Sequence, residues 1–341
     1  METNPAVRSC EVLVSGAYFA DLVFHGLARP VQPGTEVFAD GFGLVPGGAY
    51  SLAMALHRLG RRVLWSADFG SDPFSAHVLA CARQEGLAEG AFRHHPFPVR
   101  SLTVALASAD DRAMVSFQDP VDAQPLAPLL GRLRPRVLVL PQLRWDEDTV
   151  VGLREARQLG TLVVMDCHDT PATLDDPAVR EALALVDVFT PNDAEVLRLT
   201  GADGLSGLSG LDGAIAALAA LVPTLVVTRG AQGAVAVRDG ERHDAPSVRS
   251  AAAIDPTAAG DCFNAGLVHG LLNGWSLPDC LAAATLCGAA ATTAPGSSAA
   301  LDAAELAHRL DRHLDRPLDH HPHRPLDQDQ HRPSRATTNV G

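Results

Sequence analysis

Three observations predict an α/β fold built on a doubly wound, mostly parallel sheet covered by helices on both faces. The middle of the chain carries continuous apolar runs, "RVLVLP", "TLVVMD", "DVFTPN" and "TLVVTRG", without the polar alternation of a half-exposed strand. Stretches with apolar residues at helical spacing separate those runs, the pattern of strands linked by crossover helices. The chain has 341 residues, 47% of them hydrophobic and 20% charged, so it can bury a large core or two lobes.

Element by element, "EVLVSGAYFADLVF" reads as a first apolar strand. The Gly/Pro-rich stretch Gly26 to Gly48 reads as a loop, and "SLAMALHRLG" as a helix stopped by Gly60. "RRVLWSADFG" is a second strand and turn, followed by a helix over "SDPFSAHVLACARQEG" with Ser71 or Asp72 as its cap. "VRSLTVALAS" and "RAMVSF" alternate around a turn at Asp110 and Asp111 and predict a hairpin. Helices are expected near Asp148 to Leu159, Asp176 to Leu185, Ala194 to Thr200 and Asp212 to Leu221, with "AVAVRDG" as a later strand. Open sheets of this kind bind ligands beyond the carboxyl ends of their strands. The residues after "LVVMD", "DVFTPN" and "LVVTRG" are therefore candidates by position.

Composition narrows the function classes. A net charge of −13, with no basic stripe interleaved with aromatics, argues against nucleic acid as a partner. All 27 basic residues are Arg, which excludes a Schiff-base lysine and the P-loop lysine. Six scattered cysteines without a C-x-x-C pair predict free thiols. No apolar run approaches the roughly 18 residues of a membrane span, and "METNPAVRSCEV" lacks the order of a secretory signal, so a cytoplasmic protein is expected. From residue 313 onward, Pro and charge at high density predict a disordered tail at 313–341, with the folded domain at 10–312.

The segment "DPTAAGDCFNAGLVHGLL" carries the chemistry. Asp255-Pro256 sets a turn, Ala258, Ala259 and Gly260 let backbone approach a ligand, and a helix begins at an acid, Asp261. Helix starts offer unpaired N–H groups and a positive dipole end to a phosphate oxygen. A carboxylate placed there can take the proton of an attacking hydroxyl; equally, it can be a first-turn acid that satisfies the dipole.

"DPTAAGDCF" resembles the C-terminal signature of the ribokinase-like, or PfkB-type, carbohydrate and nucleoside kinases, and further motifs follow in family order over roughly residues 10 to 310. "PGGAYSLAMALHRLG" is similar to the Gly-Gly motif and its helix, "ADLVF" to the strand-end Asp, and "ADFGSDPFS" to the turn with Asp72 as its acid. "TPNDAEVLRLTG" is similar to the Asn-x-x-Glu motif, and Thr228, Gly230 and Gly233 to the nucleotide-side T-x-G-x-x-G.

The resemblance implies a small β-sheet lid, from about 23–43 and 99–117, and transfer of the ATP γ-phosphoryl group to a sugar, sugar acid or nucleoside hydroxyl. It implies Asp261 as general base with the N–H groups of Ala258, Ala259 and Gly260 as anion hole. Asn192 and Glu195 would hold Mg²⁺ through water, with Thr228, Gly230, Gly233 and Thr257 on the nucleotide side. Asp21, Gly47, Gly48 and Ser51 would face the acceptor. K⁺ is a further candidate cation, and a homodimer through the lid a candidate assembly.

Plainer readings stand beside these. Asn192 and Glu195 fit a helix capping box, Gly230 and Gly233 a tight strand-to-strand turn, and Arg229 a surface position. Asp166 and His168 read as residues at the edge of the cleft, and Tyr18 and Phe19 as core packing or as a stacking pair. Ser51 stands where most relatives carry Asn, which shortens the reach and removes a donor. That departure motivates the alternative of a ligand-binding or regulatory homologue with little kinase activity.

Overall fold

The computed structural model describes residues 10–108, 112–168, 170–202, 210–248 and 255–314. The turn at Asp110 and Asp111 and the tail from 315 onward lie outside the described residues. The first half runs β1 (Val12–Ser15), β2 (Tyr18–Leu27), β3 (Gly41–Gly48), α1 (Ala49–Arg58), β4 (Val63–Phe69), α2 (Pro73–Gln84), β5 (Phe92–His94), β6 (Ser101–Ser108) and β7 (Arg112–Gln118). It continues with α3 (Leu126–Leu133), β8 (Val137–Leu140), α4 (Glu147–Leu159), β9 (Leu162–Met165), α5 (Pro177–Leu183), β10 (Val188–Phe189), α6 (Asp193–Thr200) and α7 (Gly210–Ala219). The last part is β11 (Thr224–Thr228), β12 (Ala234–Arg238), β13 (Glu241–Ala245), α8 (Ala259–Leu272), α9 (Leu277–Ala291) and α10 (Ala303–His313).

Nine strands form one sheet in the order β13-β12-β11-β10-β9-β8-β1-β4-β5, parallel except for β12 and β13. The continuous apolar runs follow from burial on both faces. Val12 and Val14 of β1, like Val137 and Val139 of β8, enter a core shared with α1, α8 and α9. Their neighbours Leu13, Leu138 and Leu140 enter a second core against α3 to α7. A central strand between two cores favours apolar residues at every position, with Ser15 only at the strand's end.

A separate four-stranded sheet, β3-β2-β6-β7, forms the lid. It is wider than expected, because its strands begin at Tyr18 and end at Gly48 and Gln118. Two sequence expectations are corrected here. The first apolar run is two strands in two sheets, because the chain bends at Gly16, where a Cβ would come within 2.6 Å of Pro141. There Trp65 Nε1 donates to the Gly16 carbonyl at 3.0 Å and the Ala49 N–H to that of Ala17 at 3.0 Å. The Gly-rich stretch is only partly loop, since Gly41–Gly48 is strand β3. Its glycines read as turn residues, yet they make room for cross-strand neighbours. The predicted hairpin is present as antiparallel β6 and β7.

Additions to the elements read from sequence are β5, β13, α3, α9 and α10. Helix α9 is buried on nearly every side, so its Ala-rich sequence has no polar stripe to mark it. Tyr18 resolves as core, its ring stacked on Phe69 at 5.2 Å. The six cysteines are free thiols. Among the described residues, no helix is long and apolar enough to cross a membrane.

Asp72, one of the two expected caps, does more than cap α2. Its carboxylate accepts from Phe74 N at 3.0 Å, Ser75 N at 2.9 Å, Ser75 Oγ at 2.9 Å and Val99 N at 2.9 Å. It thereby ties α2 to the segment that feeds β6 of the lid. Replacing it strands several buried donors, each costing roughly 1–3 kcal/mol. Asp72→Ala is expected to lower the unfolding free energy by about 3 kcal/mol in urea titrations; a loss under about 1 kcal/mol would contradict this role.

Candidate active site

The site forms where α8 begins. Asp255 Oδ1 accepts from Thr257 N at 2.9 Å and Oδ2 from Gly296 N at 2.9 Å, which fastens the entering loop to the segment after α9. Ala258 then adopts φ 61°, ψ 7°, left-handed backbone that costs an L-residue roughly 1–2 kcal/mol. That turn delivers Ala259, Gly260 and Asp261 as the first residues of the helix, whose opening N–H groups have no acceptor within the helix. Gly260 is exposed and nothing lies within 4 Å of where its Cβ would be. The Ala259 N–H points at Pro256 O, 3.2 Å away, and helps close the turn.

Asp261 is partly buried. Burial, and then the charge of Asp21, push its carboxyl up to about 7. Asp21 itself is pushed up to about 6 by burial and by Asp255, against a hydrogen bond from Thr103. The fold thus brings Asp21 from lid strand β2 and Asp261 from the sheet domain to one cleft. Gly47 belongs beside them, because a Cβ there would overlap the Asp21 carboxylate. Gly48 starts α1 at φ 62° and its missing Cβ leaves room for Phe19 and the Ala17 carbonyl. Ser51 is 1% exposed in the first turn of α1, so its hydroxyl is shielded from the cleft.

Asn192 and Glu195 form the capping box of α6, with Asn192 Oδ1 accepting from Glu195 N at 2.9 Å and Glu195 Oε2 from Asn192 N at 2.8 Å. Thr228 lies beside Asn192 across an isolated bridge, its N–H donating to Pro191 O at 3.0 Å. Gly230 and Gly233 bracket the turn between β11 and β12, where Arg229 N donates to Gly233 O at 2.8 Å. Arg229 donates to Gln232 at 2.5 Å, while its Nε is buried and unpaired among the described residues.

Asp166, read from sequence as an edge residue that lines the cleft, is within electrostatic reach of both Glu195 and Asp261. It follows β9, accepts from Asn264 Nδ2 at 2.7 Å, and is raised well above the usual carboxylate range by burial, by Glu195 and by Asp261. Asn264 was missed altogether. Its signal was spacing, three residues beyond Asp261 and hence on the same face of α8. His168, by contrast, is exposed at φ 58°. Among the described residues no three Asp, Glu, His or Cys side chains form a metal-binding group.

Two cavities of similar size lie among the described residues. One, about 360 Å³, lies between the lid and the ends of β1, β4 and β8. The other, about 370 Å³, lies between β13 and α9; Asp21, Asp166, Glu195 and Asp261 line neither of them.

A nine-stranded, mostly parallel sheet domain with a separate four-stranded β lid is the fold of the solved ribokinases. Residues 20–304 match the model of the pfkB family carbohydrate kinases, and the chain belongs to that family. It is 30% identical over 293 residues to a fructokinase of Klebsiella pneumoniae, covering 78% of this chain and 92% of that one. The ribokinase of Thermotoga maritima superposes with a TM-score of 0.72 at 21% identity, covering 88% of this chain and 99% of that one. Arabidopsis thaliana ribokinase, solved with ribose and ATP, gives 0.72 at 18% identity, covering 89% and 99%. The protein is therefore a phosphotransferase with an alcohol group as acceptor.

The raised carboxyl of Asp261 makes a pH prediction. An acid displaced upward is protonated below its new value, so the basic form is lost as pH falls through about 7. We expect kcat/KM to rise with pH through a limb near 7, and Asp21→Asn, which removes a neighbouring negative charge, to move that limb to lower pH. A limb that stays in place in the variant would separate the two groups.

Proposed function

We propose that the chain transfers the γ-phosphoryl group of ATP to a hydroxyl of a sugar, sugar acid or nucleoside, with Asp261 as general base. The observation that carries this reading is the placement of Asp261 in the opening turn of α8, opposite Asp21 and beside the clear approach over Gly260. Its carboxyl near 7 is matched to proton transfer at neutral pH. Asp21, with Gly47 at its back, orients the acceptor. Asp261 takes the hydroxyl proton as oxygen bonds to phosphorus and the bond to the ADP oxygen breaks. The N–H groups of Ala258, Ala259 and Gly260 face the charge that develops on the transferring group. For Ala259 this requires release of its turn bond to Pro256.

The family's cofactors are ATP and Mg²⁺, and Mg²⁺ supplies neutralisation of the phosphate charge. Glu195, Asn192 and Asp166 would stand around its water shell, which suits carboxylates that are close in charge yet form no compact cage. Thr228, Gly230, Gly233 and Thr257 fall to the nucleotide side. K⁺ belongs to the same proposal, beside the loop that Asp255 fastens, and the Mg·ATP assay is to be run with and without it. The shielded Ser51 favours the alternative of a binding homologue.

One comparison separates the two. ADP release over a panel of acceptors should fall by several orders of magnitude in Asp261→Asn with little change in ATP affinity, because a base acts mainly in the transition state. Equal, negligible turnover by both proteins, with a ligand still raising thermal stability, would establish the binding reading.

The lid also bears on assembly. On the face opposite Asp21, Phe42 packs on Phe24, and Val115 and Phe117 stand exposed, Val115 at 70%. An open sheet with an uncovered apolar face invites a second copy. We expect a dimer by light scattering at micromolar concentration and a monomer for Val115→Asp; a variant that stays dimeric would move the interface elsewhere.

A further inference from the structure

The lid face that carries Asp21 extends beyond the carboxylates. Residues two apart on a strand share a face, about 7 Å apart. Ser101 of β6 therefore projects on the same side as Thr103, whose register partner is Asp21. Across the hairpin Ser101 pairs with Gln118. Ser101 and Gln118 line the cavity of about 360 Å³ between lid and sheet, opposite the end of β1 and the residues Gln142 and Arg144 that follow β8.

Charge in this wall is unevenly satisfied. Asp68 is paired with Arg93 and hydrogen-bonded to His95 at 2.7 Å. Asp119 takes a two-point bond from Arg100 at 2.8 and 3.0 Å. Arg144, with 15% of its side chain exposed, has only Asp146 at 3.5 Å. Both Asp146 oxygens are turned to Thr149, capping α4 at 3.0 and 2.6 Å. The Arg144 guanidinium makes no hydrogen bond among the described residues. Ser101, 2% exposed, likewise has an Oγ without a partner among them.

A half-buried guanidinium with open donors matches a planar anion, and a carboxylate fits its fork at two points. The remaining Ser and Gln side chains suit hydroxyls. Tyr18, the wall's aromatic residue, is stacked on Phe69 and bonded through its hydroxyl to Ser75 at 2.7 Å, which leaves no platform for a base. We propose that the acceptor is a sugar acid, its carboxylate held by Arg144 and the hydroxyl to be phosphorylated held at Asp21 and Asp261. This deepens the kinase reading and rests on it, with Arg144 as the specificity residue.

The test compares D-gluconate and D-galactonate with D-glucose, D-fructose, D-ribose and inosine, for the full chain and for Arg144→Gln and Arg144→Lys. The acids should be preferred by about 100-fold in kcat/KM, the range of a lost charge-assisted bond. Arg144→Gln should erase that preference through KM, leaving kcat on the acids and all constants on neutral sugars within about threefold. Arg144→Lys should recover part of it. Neutral sugars or inosine used as well as the acids, or a loss in Arg144→Gln shared by all acceptors, would overturn the assignment and leave the kinase reading intact. Should no acceptor turn over, calorimetry with D-gluconate decides. Binding to wild type and Asp261→Asn that disappears in Arg144→Gln upholds the anion site while the kinase reading fails, and absence of binding to wild type overturns the site.

Discussion

Carboxylates crowded into a poorly hydrated cleft set the terms for everything around them. Asp255 acts on Asp21, Asp21 on Asp261, Asp261 on Asp166, and Glu195 on Asp166, so one chain of negative charge runs from the lid to the start of α6. Two unit charges about 6 Å apart at an effective dielectric of 20 repel by about 3 kcal/mol, or about two pKa units. Clusters of this kind concentrate at functional sites. Main-chain donors at a helix start, protonation or a bound cation would each relieve such repulsion.

The lid completes this arrangement because of where it is attached. Strand alternation turns Asp21, Thr103, Ser101 and Gln118 to the inner side and Phe42, Val115 and Phe117 to the outer side. One thin sheet therefore carries Asp21 and its polar neighbours on one face and aromatic and aliphatic side chains on the other. Bringing the polar face down on α8 would expel water and strengthen each electrostatic contact beneath it.

The large sheet was legible because burial on both faces writes itself into uninterrupted Val and Leu runs. Asp261, Asn192 and Glu195 stood out as candidates because their motifs have fixed spacing, and the fold places Asp261 at a helix start and the other two in a capping box. What escaped was set by tertiary contact. Gly16 and β3 read as continuation and loop because nothing local reports that Pro141 blocks a side chain at 16 or that Asp21 fills the space at 47. Asn264 escaped because its meeting with Asp166 joins residues 98 apart. Ser51 shows the reverse case, a position matched by spacing whose side chain the fold turns inward.

The passage between the sheets has a consequence for engineering. Only Gly16 and Ala17 separate β1 from β2, and β3 runs straight into α1. Neither junction contains slack. A cap from another relative could not be spliced in as a cassette, since a side chain at Gly16 would meet Pro141 and one at Gly48 the Ala17 carbonyl. Altering acceptor choice by recombination would have to carry the central strand and the first helix along with the cap, and the natural unit of exchange runs from β1 to the end of β7, about the first third of the polypeptide.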